Sequence, residues 1–285
     1  MTATLLSPGV AIALAGVLGL IVGSFLNVVI LRLPAKLMHG WRTQSRELLE
    51  LSPGDEAEAP PGIVREPSHC PKCKHPLGAL ENIPLVSWLV LRGRCRHCQA
   101  PISIQYPLIE LATALLWAWM AWRFGVTLEA LRGAVFGTIL LGIALTDARA
   151  YVIPDEFTWG GLVLGLLFAI AGGWPALGQA LLGAALGFGV LWVVGVVGTW
   201  VLKQEAMGGG DIKMMAMVGA FLGWKGVLLT IFLGALVGSL IFVPLALGGR
   251  KPLVPFGIFL ALGAAAAYLV GPSIYAWYLG MLGVA

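Results

Sequence analysis

From Gly9 to Leu31 the chain carries no charged residue, an apolar run long enough to cross the hydrocarbon of a bilayer as a helix. Inside lipid every backbone N–H and C=O must be satisfied internally, so such a run constrains the fold more than any motif does. Nothing basic precedes it and it outlasts a secretory h-region, so a retained transmembrane helix is expected, with no cleaved signal. Similar runs recur, and the expected spans lie near 8–33, 104–122, 130–146, 156–172, 178–202, 211–223, 226–248 and 254–281. With 59% hydrophobic and 11% charged residues and a mean hydropathy of +0.90, the chain is not an ordinary soluble domain. The expected fold class is an all-α polytopic membrane protein of about eight transmembrane helices with a small cytoplasmic zinc-ribbon-like insertion.

Basic residues collect on the cytoplasmic side of a membrane. An outside N-terminus puts Arg32, Lys36, Arg149, Lys203, Lys213, Arg250 and Lys251 inside, and leaves Arg123, Arg132 and Lys225 outside. Three regions follow: a first transmembrane helix over 1–33, a cytoplasmic loop over 34–103, and a transmembrane helical bundle over 104–285. In the loop, His39 to Glu66 is polar and reads as a segment of little fixed structure. Its acidic residues Glu47, Glu50, Asp55, Glu56 and Glu58 read as a solvated linker or as an attractor for a basic peptide.

From about residue 67 to 103 the loop holds all four cysteines, in S-H-C-P-K-C and R-C-R-H-C. Two C-x-x-C knuckles, Cys70 with Cys73 and Cys95 with Cys98, can turn four thiolates toward one tetrahedral zinc. Paired disulfides are the alternative, disfavoured in a reducing cytoplasm. Four thiolate ligands leave the metal no open position, so its expected task is structural. His69, His75 and His97 read as basic surface beside the cluster.

Asp211 follows three glycines, Gly208, Gly209 and Gly210, at the head of an apolar run. Alone it has the plain explanation of a helix cap, and Asp155 after Pro154 reads the same way. Asp147 alone reads as a helix-end charge paired with Arg149. The alternation of spans nevertheless brings Asp147 and Asp211 to one face at similar depth. Two carboxylates a few ångströms apart cannot both ionise easily, and such a pair can activate water with one member and donate a proton with the other. The glycines would let an extended substrate approach the backbone closely.

Several stretches together resemble the bacterial type IV prepilin peptidases, bifunctional leader peptidases and N-methyltransferases among the Gly-x-Gly-Asp intramembrane aspartyl proteases. They are G-G-G-D at 208–211, G-S-F-L-N-V-V-I-L-R-L-P at 23–34, the knuckles enclosing N-I-P-L-V-S-W-L-V-L-R-G-R-C, I-S-I-Q-Y-P-L-I-E at 102–110, and the aspartates at 147 and 155. The resemblance implies a catalytic pair at Asp147 and Asp211, with Asp155 outside it. It implies cleavage of a short basic leader from type IV prepilins and pseudopilins at the cytoplasmic face of the bacterial inner membrane. N-methylation of the new N-terminus by S-adenosylmethionine is also implied, although no Gly-x-Gly-x-x-Gly loop marks a site for that donor and its binding residues stay unassigned. Two departures stand out: Ala148-Arg149 follows the first aspartate where the family often has an acidic residue, and Pro255-Phe256-Gly257-Ile258 replaces its Pro-Phe-Gly-Pro.

Asn27 reads as a polar contact between helices, and Glu110 as a residue at the interface or paired with a base. Membrane lipid is an expected partner and nucleic acid is not. The competing readings are an ion- or proton-coupled transporter built on the paired aspartates, and an assembly scaffold docking through its zinc domain.

Overall fold

The computed structural model describes residues 7–51, 59–64, 66–247 and 255–283. Its α-helices are α1 (Pro8–Leu48), α2 (Val86–Val90), α3 (Gln105–Phe124), α4 (Leu128–Ala150), α5 (Asp155–Ala171), α6 (Trp174–Leu202), α7 (Gly209–Leu247) and α8 (Phe256–Met281), with a 3-10 turn at Ala79–Asn82. Among the described residues extended pairing is limited to two isolated bridges, His69 with Pro76 and Arg94 with Pro101. The all-helical expectation holds.

Five helices, α1, α4, α6, α7 and α8, are long and apolar enough to cross a membrane. Length and composition alone do not show the expected eight. The runs at 104–122 and 156–172 do form α3 and α5, but α5 has only 17 residues and neither helix is among the five. The runs at 211–223 and 226–248 fall within one element, α7, which is interrupted at Gly223 (φ 67°, ψ −179°). That backbone conformation is open to glycine and strained for other residues.

The chain divides into two compact units, Met1–Ala134 and Val135–Ala285. In the first, α1 and α3 pack closely because small residues face the contact. A Cβ added at Gly19 would lie 2.8 Å from the Cα of Ala114, and one at Gly23 would lie 2.8 Å from the Cα of Glu110. Asn27 Nδ2 donates to the carbonyl of Tyr106 at 3.1 Å, the contact between helices expected of it.

The first helix does not end at Leu33. It continues through Pro34 to Leu48, 41 residues in all. At ~1.5 Å per residue this is roughly twice the ~30 Å of a hydrocarbon core. The polar stretch after His39 is helix as far as Leu48 because it is rich in helix-forming Arg, Gln, Glu and Leu. Further along, Arg32 donates to the carbonyls of Gly62 (2.6 Å), Glu66 (2.9 Å) and Pro67 (3.0 Å), which fixes the approach to the cysteines. The reading of 39–66 as unstructured is therefore wrong for these parts, while Asp55, Glu56 and Glu58 lie outside the described residues.

In the second unit the first half of α7 is the buried element. Met214, Met215, Met217, Val218 and Phe221 join Phe136, Ile143 and Leu260 in one apolar core, with the rings of Phe136 and Phe221 stacked at 4.6 Å. α5 and α6 close on this half through Gly161 against Met217, Gly165 against Phe221, and Gly183 and Gly187 against the backbone at Gly219 and Met215. Beyond Gly223, α7 pairs with α8, where Gly263 meets Thr230 and Gly234. Large apolar side chains such as Trp192 and Trp200 point outward from α6, as suits lipid.

Candidate active site and cysteine cluster

Asp147 stands one turn before the end of α4 and is buried, 5% exposed. Its Oδ2 accepts the N–H of Ile258 at 3.2 Å, and the N–H of Gly257 also points to it, so the start of α8 holds this carboxylate in place. Among the described residues Asp147 has no ion pair with Arg149, which is exposed. The helix-end pairing is not made.

Asp211 lies in the first turn of α7, two residues after its start at Gly209, and so is not the residue preceding the helix. Its backbone N–H bonds to the carbonyl of Gly208 at 3.2 Å. Its Oδ1 is buried without a hydrogen-bond partner among the described residues, an expensive condition for an atom with nothing to do. The two aspartates are linked by packing: Gly257 abuts both Asp147 and Ile153, and Ile153 abuts Gly210, the residue before Asp211. They are gathered by neighbouring helix ends rather than by one motif.

Ile153 explains how those ends are spaced. A Cβ on Gly210 would meet the Cβ of Ile153 at 2.9 Å, and a Cβ on Gly257 would meet the Cδ1 of Ile153 at 2.7 Å and the Oδ2 of Asp147 at 2.8 Å. At Gly210 the close approach is thus made by Ile153 of the same chain. Gly209 has nothing within 4 Å of an added Cβ, and Gly208 has only the Oδ2 of Asp211 at 3.4 Å, so these two leave backbone free for another molecule. Asp155 is the first residue of α5 and not its cap, since the preceding position is Pro154. Both its oxygens bond Lys213 Nζ at 2.8 Å, tying the start of α5 to the first turn of α7. Neither the packing role of Ile153 nor the partner of Lys213 is marked in the sequence. Only the Pro255-Phe256-Gly257 stretch offered a signal.

The four cysteines of the first unit come together. The Sγ atoms of Cys70, Cys73, Cys95 and Cys98 all lie within 4.8 Å of one another, and Cys70 and Cys98 are 3.8 Å apart. All four are free thiols. A tetrahedron with arms of ~2.3 Å has edges of about 3.8 Å, so the cluster fits one thiolate-bound metal. The two knuckles repeat one local fold: Cys70 N–H bonds the carbonyl of His75 and Cys95 N–H that of Ala100, both at 2.9 Å, while Lys74 (φ 59°) and Gln99 (φ 57°) turn the chain left-handed. Backbone N–H groups of Cys73 and Lys72 hold the Cys70 thiol down at about 6. The N–H of His75 pulls Cys73 the same way, yet burial and the neighbouring sulfurs outweigh it and push that thiol up to about 11. Four sulfurs this close need a cation before all can ionise. His75 and His97 stack on each other at 4.4 Å and are not among the four clustered groups.

Among the described residues Glu110 forms no ion pair with a basic side chain. It is buried, 7% exposed, and its Oε2 accepts the N–H of Leu85 at 2.8 Å.

Comparison with known proteins now decides the family. Residues 17–124 match the bacterial peptidase A24 N-terminal domain and residues 134–243 match the type IV leader peptidase family. A prepilin leader peptidase/N-methyltransferase of Aeromonas hydrophila is 42% identical over 95% of both chains. The chain belongs to the type IV leader peptidase family. Proteins of the same description from Xanthomonas campestris pv. campestris and Pseudomonas aeruginosa are 41% identical over 97% of both chains, and 42% identical over 93% of this chain and 92% of the other. No solved structure matches the chain significantly. For a leader peptidase, the pairing of Asp147 with Asp211 and the separate cysteine cluster are the two features that call for a chemical account.

Proposed function

We infer that this chain removes the leader peptide from type IV prepilins and then methylates the new N-terminal amine. The family match over nearly the whole length supports both activities. The transporter reading has no support, since the relatives it matches are named as peptidases and methyltransferases. The scaffold reading leaves the buried, partnerless oxygen of Asp211 beside Asp147 without a purpose.

The observation that carries the peptidase assignment to residues is that Asp147 and Asp211, both with buried carboxylates, stand at the ends of α4 and α7 that pack around Ile153. In this reading one carboxylate takes a proton from water, which attacks the scissile carbonyl. The other gives its proton to the carbonyl oxygen; as the C–N bond breaks, the proton taken from water passes to the leaving amine and a hydroxyl proton of the intermediate returns to the second carboxylate. A peptide bond inside a helix is shielded, so the substrate is extended at the cut and runs along the open backbone of Gly208 and Gly209. Gly210 contributes by admitting Ile153. Prepilins and pseudopilins are the substrates.

The metal of Cys70, Cys73, Cys95 and Cys98 is zinc, with a structural role: its four positions are filled by thiolates, and it fixes the knuckles on α1 and α3. The methyl donor is S-adenosylmethionine. In the membrane α3 and the two halves of α7 join α1, α4, α5, α6 and α8 to give eight crossings, with the N-terminus outside and the dyad toward the cytoplasm of the bacterial inner membrane. Purified protein in liposomes, given a prepilin and the methyl donor, tests the whole reading: mass spectrometry shows a leaderless, N-methylated product. An uncut precursor overturns it.

A further inference from the structure

The aspartate pair lies wholly in the second unit and leaves methylation without residues. The first unit contains a cavity of about 350 Å³, walled by α1, the start of α3 and the segment bearing the cysteines. Ligand cavities for small molecules run from ~300 to ~1,000 Å³.

Its walls are built with care for two side chains. Trp88 presents an indole held by a bond from Nε1 to the carbonyl of Ile102 at 3.2 Å. It packs directly on Gly93 (φ 67°), where a Cβ would come within 2.9 Å of the ring. Glu110 presents a buried carboxylate whose donors are neutral: the N–H of Leu85 at 2.8 Å and the hydroxyl of Ser24. Leu85 adopts a left-handed backbone (φ 59°) at the point of that bond, a conformation that surrounding structure must impose. No basic side chain forms an ion pair with Glu110 among the described residues. In the same wall Asn27 is 2% exposed, and its Oδ1 has no donor among the described residues. A buried carboxylate and a buried amide oxygen beside an aromatic face make a site that a cationic, ring-bearing ligand would complete.

We propose that this cavity binds S-adenosylmethionine, with Glu110 as counter-charge to its cationic end and the Trp88 indole as the platform for its adenine. The inference rests on the N-methyltransferase reading above. In the transfer, the lone pair of the substrate's free amine forms the new N–C bond as the C–S bond breaks. That electron pair stays on sulfur as a neutral thioether, and the methylated amine releases one proton to water. A carboxylate beside the sulfonium also favours the charged donor over its neutral product, S-adenosylhomocysteine.

The test is equilibrium binding of labelled S-adenosylmethionine to the full chain in nanodiscs. Val28 lines the cavity and Phe25, three residues earlier on α1, is 53% exposed. Val28→Trp, which fills the cavity, and Glu110→Gln should each weaken binding at least about tenfold. Phe25→Trp should not. Glu110→Gln should also erase the preference for donor over product, which a merely structural role would not do. Ultraviolet cross-linking of labelled donor to the native chain, read by peptide mapping, needs no variant to fold and should place the label within residues 24–110. Native-like binding by both cavity variants, or label confined to residues 135–285, overturns the site while the methyltransferase reading stands. A native chain that neither binds the donor nor methylates a cleaved prepilin overturns that reading, and the site with it.

Discussion

The N–H of Ile258 donates to Oδ2 of Asp147 across 3.2 Å, joining the start of α8 to the end of α4 although 111 residues separate them. The carboxylate is therefore positioned by backbone, which cannot rotate away as a side-chain donor can. Gly257, one residue earlier, leaves that oxygen no spare room.

Replacing either aspartate tests the pair itself. Asp147→Asn and Asp211→Asn keep size and remove the acid chemistry, so each should lower kcat for prepilin cleavage by about 10²–10⁴-fold or more at equal folded amounts. The double variant should lose little beyond either single one, because the pair acts as a unit. Cleavage at native rates by both single variants would show that the carboxylates are structural.

Gly257→Val should displace Asp147 and Ile153 together, since an added Cβ already falls 2.8 Å from one and 2.7 Å from the other. A shift of ~1 Å at a reacting group costs roughly 10²-fold in rate. Single-turnover cleavage should slow while prepilin binding, measured separately, holds.

Gly209→Val separates substrate approach from folding. The folded chain has open space at this position, so thermal stability should be nearly unchanged, yet the branched side chain should hinder an extended peptide and reduce kcat/KM. Gly210→Val, pressed against Ile153, should lower stability as well. Equal stability losses in both variants would leave Gly209 no part in substrate binding.

The Asp155–Lys213 pair is partly exposed, with side chains 55% and 33% accessible. Solvent and salt screen such a pair, so its removal should cost at most about 1 kcal/mol of stability. Lys213→Met should therefore give an active enzyme with a lower dependence of activity on ionic strength. A loss as large as that expected for the aspartate pair would place Lys213 in the chemistry.

Cobalt binding reports on the cysteine cluster. Four thiolates should give the intense absorption of tetrahedral cobalt–sulfur coordination, and Cys98→Ser should weaken it and lower metal affinity. Chelation should make the knuckles themselves, near residues 70–75 and 95–100, more accessible to protease, because short backbone turns shape each of them.

Much of this architecture is legible in the chain because lipid imposes a simple code. Apolar runs marked every long helix, and paired C-x-x-C marked the cluster, since a metal needs ligands at fixed reach. The failures have equally physical causes. The first helix was expected to stop at Leu33, yet α1 runs through Pro34 to Leu48, because the polar stretch beyond is rich in helix-forming residues. Asp211 and Asp155 read as caps, but each helix begins before or at the aspartate, freeing one side chain for its neighbour and the other for Lys213. Glu110 reads as an interfacial or base-paired charge, whereas its partner is the backbone N–H of Leu85, in a turn that no local pattern announces. Ile153 carried no signal, because its work is to fill space between segments distant in sequence.

The interruption at Gly223 leaves Asp211 on a helical piece of residues 209–222, about 21 Å long and shorter than a hydrocarbon core of ~30 Å. Such a piece cannot register itself against both leaflets. Its depth is fixed by the glycine-lined flanks of α5 and α6, so the height of one aspartate over the other is a property of the protein interior.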